Sequence, residues 1–146
     1  MRITQEADYA LRITCLLAQR GETVGARTVA EAVAISSSIA LKILRKLSND
    51  GIVRGTRGVE GGYALAVDPN TLTVRRVIEA IDGPTEISRC LSDAHGCLYN
   101  PDKNCCRFHH VMAELNRQFT ERLDRLTMRM MADEHIPVNV LLESIK

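Results

Sequence analysis

Two short helices are predicted by residues 27–51, RTVAEAVAISSSIALKILRKLSNDG. Thr28 is placed to cap the first helix, because Glu31 follows it at the capping-box position. The polar turn at 35–38 separates the helices and supplies a second cap, and Asp50 with Gly51 ends the second helix. The apolar positions expected to face inward from the second helix are Ile39, Ala40, Ile43, Leu44 and Leu47. By itself this pattern is also typical of a plain helical hairpin.

A β-hairpin with a basic tip is predicted by the residues that follow, IVRGTRGVEGGYALA at 52–66. Residues of strand type alternate with charged ones on both sides of a glycine-rich tip. The tip region contains Arg54, Arg57, Gly58 and the pair Gly61 and Gly62. Helix, turn, helix and basic hairpin is the order of a winged helix-turn-helix. We therefore expect a mainly α fold with a small β-wing.

Flanking helices complete a predicted winged-helix domain over 1–83. Apolar residues recur at helical spacing from Thr4, a plausible N-cap, to about residue 19, and Gly21 ends the run. Cys15 lies on the apolar side of that helix, where a thiol usually serves as a small buried hydrophobe. The segment LTVRRVIEAI at 72–81 predicts a further helix, which the Asp-Gly-Pro break at 82–84 closes.

Double-stranded DNA is the partner that this arrangement predicts. The second helix of such a motif enters the major groove, and an arginine on a narrow hairpin tip is attracted to the minor groove. The residues expected to contact DNA are Thr28, Ser36, Ser37, Ser38, Lys42, Arg54, Arg57 and Gly58. Basic residues exceed acidic ones over the first 80 positions, which permits this partner without establishing it. Under the alternative interpretation, the tip glycines merely supply positive φ angles for the turn.

The segment 90–110, CLSDAHGCLYNPDKNCCRFHH, holds four of the five cysteines of the chain. The sequence contains no run of about 18 uncharged apolar residues and no signal-like start, so we expect a cytoplasmic protein, in which disulfides are disfavoured. The close cysteine hooks of structural zinc sites are absent, whereas the wider intervals suit an iron–sulfur cluster. Zinc and redox-active thiols remain as alternatives. No substrate-site motif accompanies the thiols, so an enzyme is not expected.

A long amphipathic helix is predicted over 111–132, after the cysteine-rich loop assigned to 84–110. Its apolar positions follow one another at intervals of three and four: Met112, Leu115, Phe119, Leu123, Leu126 and Met130. Such a helix has little to pack against in a small chain, so we expect it to pair with a second copy and form a homodimer. The alternative is that it folds back on its own lobe. Residues 133–146 are assigned to a C-terminal tail.

The chain resembles the Rrf-type bacterial transcriptional regulators, whose members include iron–sulfur regulators of the IscR, NsrR and RirA types. Four stretches carry the resemblance: MRITQEADYALR at the start, ISSSIALKILRKLSNDGIV, VRGTRGVEGGYALA, and the three-cysteine loop before a long helix. It extends through about residue 130. The resemblance implies a homodimeric, DNA-binding repressor or activator whose cluster senses redox state, nitric oxide or iron.

The resemblance also implies a set of ligands for the cluster. The family's three cysteines fall on Cys90, Cys97 and Cys106, and Cys105 is an alternative ligand. Some members complete the site with a histidine three residues after the third cysteine, here His109, which favours a two-iron two-sulfur cluster. Others use an aspartate from the first helix of the second subunit, here Asp8, which favours a four-iron four-sulfur cluster. Both residues are present, so the cluster type stays open.

Overall fold

A computed structural model of the chain describes residues 3–58, 61–92 and 106–146. The described part is mostly helical with one two-stranded antiparallel sheet. In chain order its elements are α1 (Gln5–Arg20), α2 (Ala26–Val33), α3 (Ser37–Asn49), β1 (Val53–Thr56), β2 (Gly62–Leu65), α4 (Val74–Asp82), a 3₁₀ turn (Arg89–Leu91), α5 (Arg107–Asp124), α6 (Met128–Ala132) and α7 (Val138–Ser144). Within the described ranges, no helix combines the length and apolar content needed to cross a bilayer.

The caps predicted for α1 and α3 are present. Thr4 Oγ1 accepts a hydrogen bond from the Ala7 amide over 3.2 Å, and Gly21 ends α1 in the left-handed region with φ 66°. Ser36 Oγ accepts from the Ile39 amide over 3.3 Å and starts α3. These interactions satisfy backbone groups that the first and last turns of a helix leave unpaired.

The start of α2 differs from the prediction that Thr28 caps it. The helix begins at Ala26 with Gly25 as its N-cap, and Glu31 pairs with Arg27 over 2.9 Å. The reason is a contact distant in sequence: Val24 exchanges two backbone hydrogen bonds with Tyr63 of β2, of 2.9 and 2.8 Å. This pairing holds the chain extended at Val24, so the helix can begin two residues later.

The inward side of α3 is narrower than predicted. Ala40, Ile43, Leu44 and Leu47 are fully buried, but the side chain of Ile39 is 39% exposed. Ile39 lies about 100° around the helix from Ala40, which places it at the edge of the buried side.

The wing is the predicted hairpin, with Val53 opposite Leu65 and Thr56 opposite Gly62. Of the glycines at its tip, Gly58 has the positive φ, at 119°. Gly61 and Gly62 serve a different purpose, since a Cβ at Gly62 would lie 2.5 Å from the Val24 carbonyl oxygen. Close backbone approach therefore requires glycine at position 62.

The long helix predicted over 111–132 is not continuous. α5 begins at Arg107 and ends at Asp124, and α6 begins at Met128 after Thr127 caps it. Between them the chain pairs with the start of α4: the Val74 amide donates to Leu126, and the Met128 amide donates to Leu72. Met128 is 1% exposed and belongs to the core of the winged-helix lobe. The end of the predicted helix thus folds back, and the segment predicted as a tail contains α7.

Candidate DNA-binding face and thiol site

The first turn of α3 presents three exposed serines. Ser36 uses its hydroxyl for the helix cap and lies 3.0 Å from the hydroxyl of Ser38. Ser37 makes no side-chain hydrogen bond to the described residues. Among the three serines, Ser37 is thus the one whose hydroxyl is available to a ligand without disturbing the helix start.

Lys42 is already engaged by an acidic residue of another helix. Its ammonium and that of Lys46 both donate to the carboxylate of Glu6 in α1, the latter over 2.7 Å. Hydrogen bonds from Lys42 and then Lys46 lower the pKa of Glu6 to about 2. If Lys42 contacts DNA as predicted, a DNA phosphate therefore has to compete with the Glu6 carboxylate for its ammonium group.

A cleft of about 580 Å³ lies between α3 and the wing. Arg45 lines it from α3, and Arg57 with Gly58 lines it from the wing tip. Neither arginine forms an ion pair with a described residue, so both are available to an anionic ligand. The sequence-based set missed Arg45, although its position three residues after Lys42 on the exposed side of a helix could have indicated it.

Six of the eight predicted contacts do not line this cleft: Ser36, Ser37, Ser38 and Lys42 of α3, together with Arg54 and Thr28. Arg54 is exposed on β1 opposite Ala64, and Thr28 is exposed in α2, but neither lines the cleft. Of the predicted contacts, the structure thus brings Arg57 and Gly58 into one cleft with α3.

The described residues of the candidate thiol site lie in the sequence on either side of residues 93–105. Cys90 is half-buried in the 3₁₀ turn, and its Sγ lies 3.2 Å from the Ser88 hydroxyl. Cys106 is buried at the N-cap of α5, and His109 follows in the first turn. His109 Nδ1 lies 3.1 Å from the backbone carbonyl oxygen of Cys90. This bond joins the 3₁₀ turn to the start of α5.

The contact with Cys90 determines the tautomer of His109. A carbonyl oxygen only accepts hydrogen bonds, so Nδ1 must carry the proton. In the neutral imidazole, Nε2 then has a free lone pair, and a backbone carbonyl on the other ring nitrogen is the usual support for a metal-bound histidine. Thiolates are the ligands that hold iron–sulfur clusters, and a histidine replaces a cysteine in some of them, so these residue types fit such a cluster.

Two of the predicted ligands, Cys97 and Cys105, lie outside the described residues. In the described ranges on either side of them, no three His, Cys, Asp or Glu side chains are grouped so as to hold a metal ion. The full ligand set therefore remains a prediction.

Asp8 lies at a different place on the same chain. It pairs with Arg12 over 3.0 Å and borders an apolar cleft of about 620 Å³ that Cys15 and Met131 also line. His109 borders a separate cleft. Cys15 is half-buried, donates to the Met131 carbonyl over 3.4 Å, and has its pKa raised by burial and by Glu134. Among the described residues, Asp8 and His109 therefore border different clefts.

An apolar stripe is exposed along α5. The exposed side-chain fractions are 77% for Phe108, 54% for Val111, 47% for Leu115 and 36% for Phe119. The sequence predicted Leu115 and Phe119 for such a stripe and missed the first two. The other predicted members, Met112, Leu123, Leu126 and Met130, are partly buried.

Comparison with known proteins identifies the family. Residues 3–134 match the sequence model of Rrf2, described as an iron-dependent transcriptional regulator. The chain belongs to the Rrf2 family. It is therefore a transcriptional regulator and not an enzyme, as the sequence predicted.

Individual Rrf2 relatives are similar over most of their length. The HTH-type transcriptional regulator NsrR of Bacillus subtilis is 29% identical over 132 residues, which is 88% of each chain. The structure of CymR, the global cysteine regulator of B. subtilis, matches with a TM-score of 0.72 at 24% identity, over 90% of this chain and 96% of that one. T. potens IscR matches with a TM-score of 0.70 at 21% identity, over 94% and 93%. The Rrf2 matches confirm the predicted winged-helix fold.

Proposed function

We propose that this Rrf2-family regulator is a homodimeric repressor whose affinity for operator DNA is set by an iron–sulfur cluster. Cys90, Cys97, Cys106 and His109 would hold the cluster. The observation that carries the proposal is the bond between His109 Nδ1 and the Cys90 carbonyl, because it joins the turn that carries Cys90 to the helix that follows Cys106 and leaves Nε2 of His109 as an acceptor. Similarity to NsrR and IscR supports the same assignment.

The residues of the site suit this task. His109 is a weaker ligand for iron than a thiolate, which makes it the labile corner of the site. A bound cluster would supply iron that reacts with oxygen or nitric oxide. The state of the site would report redox conditions, nitric oxide or iron supply.

His109 is favoured over Asp8 as the fourth ligand, and with it a two-iron cluster. His109 is already bonded to Cys90, whereas Asp8 is paired with Arg12 on the exposed side of α1. Asp8 would complete a four-iron site only if a second subunit brought it to the thiols. The spectra of variants at His109 and Asp8 distinguish these two assignments of the fourth ligand.

DNA binding is assigned to α3 and the wing. The serines at the start of α3 would face base edges in the major groove, and Arg57 at the wing tip would face the minor groove. Arg45 and Arg57 line the two walls of the same cleft, which fits a phosphate backbone passing between them. The stripe on α5 would join two such units, because exposed apolar stripes of this kind usually mark an interface.

Anaerobic purification followed by absorbance and Mössbauer spectroscopy tests the cluster. The unmodified chain should be coloured, and Cys90→Ser and Cys106→Ser should each lose the chromophore. His109→Ala should alter the spectrum while Asp8→Asn leaves it unchanged; the reverse pattern would assign the fourth ligand to the partner subunit. Cys15→Ser is the matched control and should keep the full spectrum. A colourless protein that binds zinc would overturn the proposal.

A thiol-based regulator is the second candidate. It is favoured by the similarity to a global cysteine regulator and by the free thiols of Cys15, Cys90 and Cys106. In that case the purified protein would be colourless, and mild oxidation in place of cluster loss would change its affinity for DNA.

A further inference from the structure

Glu6 of α1 lies between two lysines of α3. Its two carboxylate oxygens accept separately, Oε1 from Lys42 and Oε2 from Lys46. The side chains are 33% exposed for Glu6, 60% for Lys42 and 39% for Lys46. The three groups therefore meet at the surface of α3, within reach of any ligand that approaches that helix.

The carboxylate reduces the positive charge that α3 presents. With a pKa of about 2, Glu6 remains ionised at every pH at which the protein would bind DNA. One negative charge is thus fixed between two ammonium groups. Arg45, on the same helix, forms no ion pair with a described residue and keeps its full charge for the cleft beside the wing.

Charge neutralisation matters unequally for the two modes of DNA binding. Non-specific binding comes almost entirely from lysine and arginine contacts with phosphates, which release counterions. A lysine already held by a carboxylate gains little from a phosphate, and the carboxylate repels it. In a specific complex the base contacts fix the register on the duplex, so a freed lysine gains a phosphate only where that register presents one, whereas non-specific binding can adopt any register. Holding two lysines in this way therefore weakens non-specific binding more than specific binding.

We propose that Glu6 is a specificity-determining residue that masks Lys42 and Lys46 and so restrains non-specific binding of DNA through α3. The inference rests on the proposed DNA-binding function and adds a residue of α1 to it. Glu6 does not contact DNA in this account; it acts through the two lysines.

Fluorescence anisotropy with a random-sequence duplex tests the proposal. Glu6→Gln should bind the duplex more tightly than the unmodified chain at low salt, with a salt slope steeper by about one to two units. The ratio of the two affinities should then fall about fourfold to sixteenfold between roughly 50 and 200 mM salt, depending on whether one or both lysines gain a phosphate. A duplex selected from a random pool by the unmodified chain should show a smaller gain.

Matched controls separate masking from a general change in charge. Glu143→Gln removes the same charge from α7 and frees Lys146, which follows that helix, and it should leave binding unchanged. In a chain carrying Lys42→Gln and Lys46→Gln, adding Glu6→Gln should give no further gain. Circular dichroism and thermal unfolding confirm that each variant is folded.

Two results would overturn the inference. If Glu6→Gln binds random DNA no more tightly than the unmodified chain, or binds it more weakly, Glu6 positions the lysines instead of masking them. If the gain persists in the chain that lacks both lysines, it comes from elsewhere. A failure of the proposed function looks different, because the unmodified chain would then select no sequence from the pool.

Discussion

Arg75 of α4 donates from Nη1 to Oδ2 of Asp124 in α5 over 2.9 Å. The next residue, Arg76, donates to both the backbone and side-chain oxygens of Asp50, at the C-terminal end of α3. Adjacent arginines of α4 are therefore bonded to two different helices. One of these helices carries His109, and the other carries the predicted DNA contacts. α4 thus connects the helix of the candidate thiol site with the helix of the predicted DNA contacts through direct hydrogen bonds.

Replacing Arg75 should weaken this connection. In Arg75→Gln we expect the free energy of unfolding to fall by roughly 0.5–1 kcal/mol, since the guanidinium binds Glu79 and Asp124 at a partly exposed site. We also expect a smaller difference in DNA affinity between the cluster-loaded and cluster-free protein. Urea unfolding and anisotropy titrations measure the two effects. Arg27→Gln, which breaks one exposed pair with Glu31, is the control; an equal loss in that variant would argue against a special role for Arg75.

Acid should destabilise the protein partly through Glu79. Burial alone would raise the pKa of Glu79, but hydrogen bonds from Arg75 and the Thr85 amide outweigh it and hold the pKa below its ordinary value. Because the folded-state pKa is lowered, the stabilisation is complete above the unfolded pKa of about 4.3 and is lost as the pH falls through the folded-state value. Unfolding free energies measured across this range should fall less steeply for Glu79→Gln. Identical pH profiles for the two proteins would contradict the assignment.

The attachment of the wing depends on Gly62. In Gly62→Ala the new Cβ would meet the Val24 backbone, with 2.5 Å to its carbonyl oxygen, so the pairing of Val24 with Tyr63 has to shift. We expect a loss of about 1–3 kcal/mol in unfolding free energy, the usual range for overpacking, together with weaker DNA binding. Thermal unfolding and gel shifts provide the measurements. Gly25→Ala has room for its Cβ, with 3.8 Å to the nearest Thr28 atom, and should cost no more than about 1 kcal/mol, because alanine is a poorer N-cap than glycine.

The exposed stripe on α5 predicts the oligomeric state. A charge in its middle, in Leu115→Glu, should turn a dimer into a monomer, because burying an unpaired carboxylate at an interface is costly. Size-exclusion chromatography with light scattering gives the mass directly. Leu142→Glu places the same charge at an exposed leucine of α7 and should remain dimeric. A monomeric unmodified chain would show instead that the stripe serves another contact.

Local patterns accounted for much of the fold. The caps at Thr4 and Ser36, the end of α1 at Gly21 and the wing all follow from short-range rules of helix and hairpin formation, and the structure contains them. The start of α2 and the break after Asp124 follow instead from backbone pairing with distant segments, through Val24 with Tyr63 and Thr73 with Thr127. No local pattern around those residues encodes such pairing.

The candidate site was predictable to a similar degree. The serines and Arg57 are placed by the winged-helix order, but the capture of Lys42 by Glu6 joins residues 36 positions apart and is set by how α1 packs on α3. The bond between His109 and Cys90 likewise joins residues 19 positions apart. The spacing of residues in the sequence could identify these positions as candidates, but it could not show which other residue each of them contacts.

His109 is bonded to a main-chain atom of residue 90, so this hydrogen bond does not depend on the side chain at that position. A substitution at position 90 that leaves the turn undistorted keeps the carbonyl oxygen in place. The orientation of the His109 imidazole is then retained even when the thiol is lost. A related protein could therefore have another residue in place of Cys90 and still hold His109 in the same orientation, whether or not it binds a metal. Orientation and ligation at this site can therefore evolve one at a time.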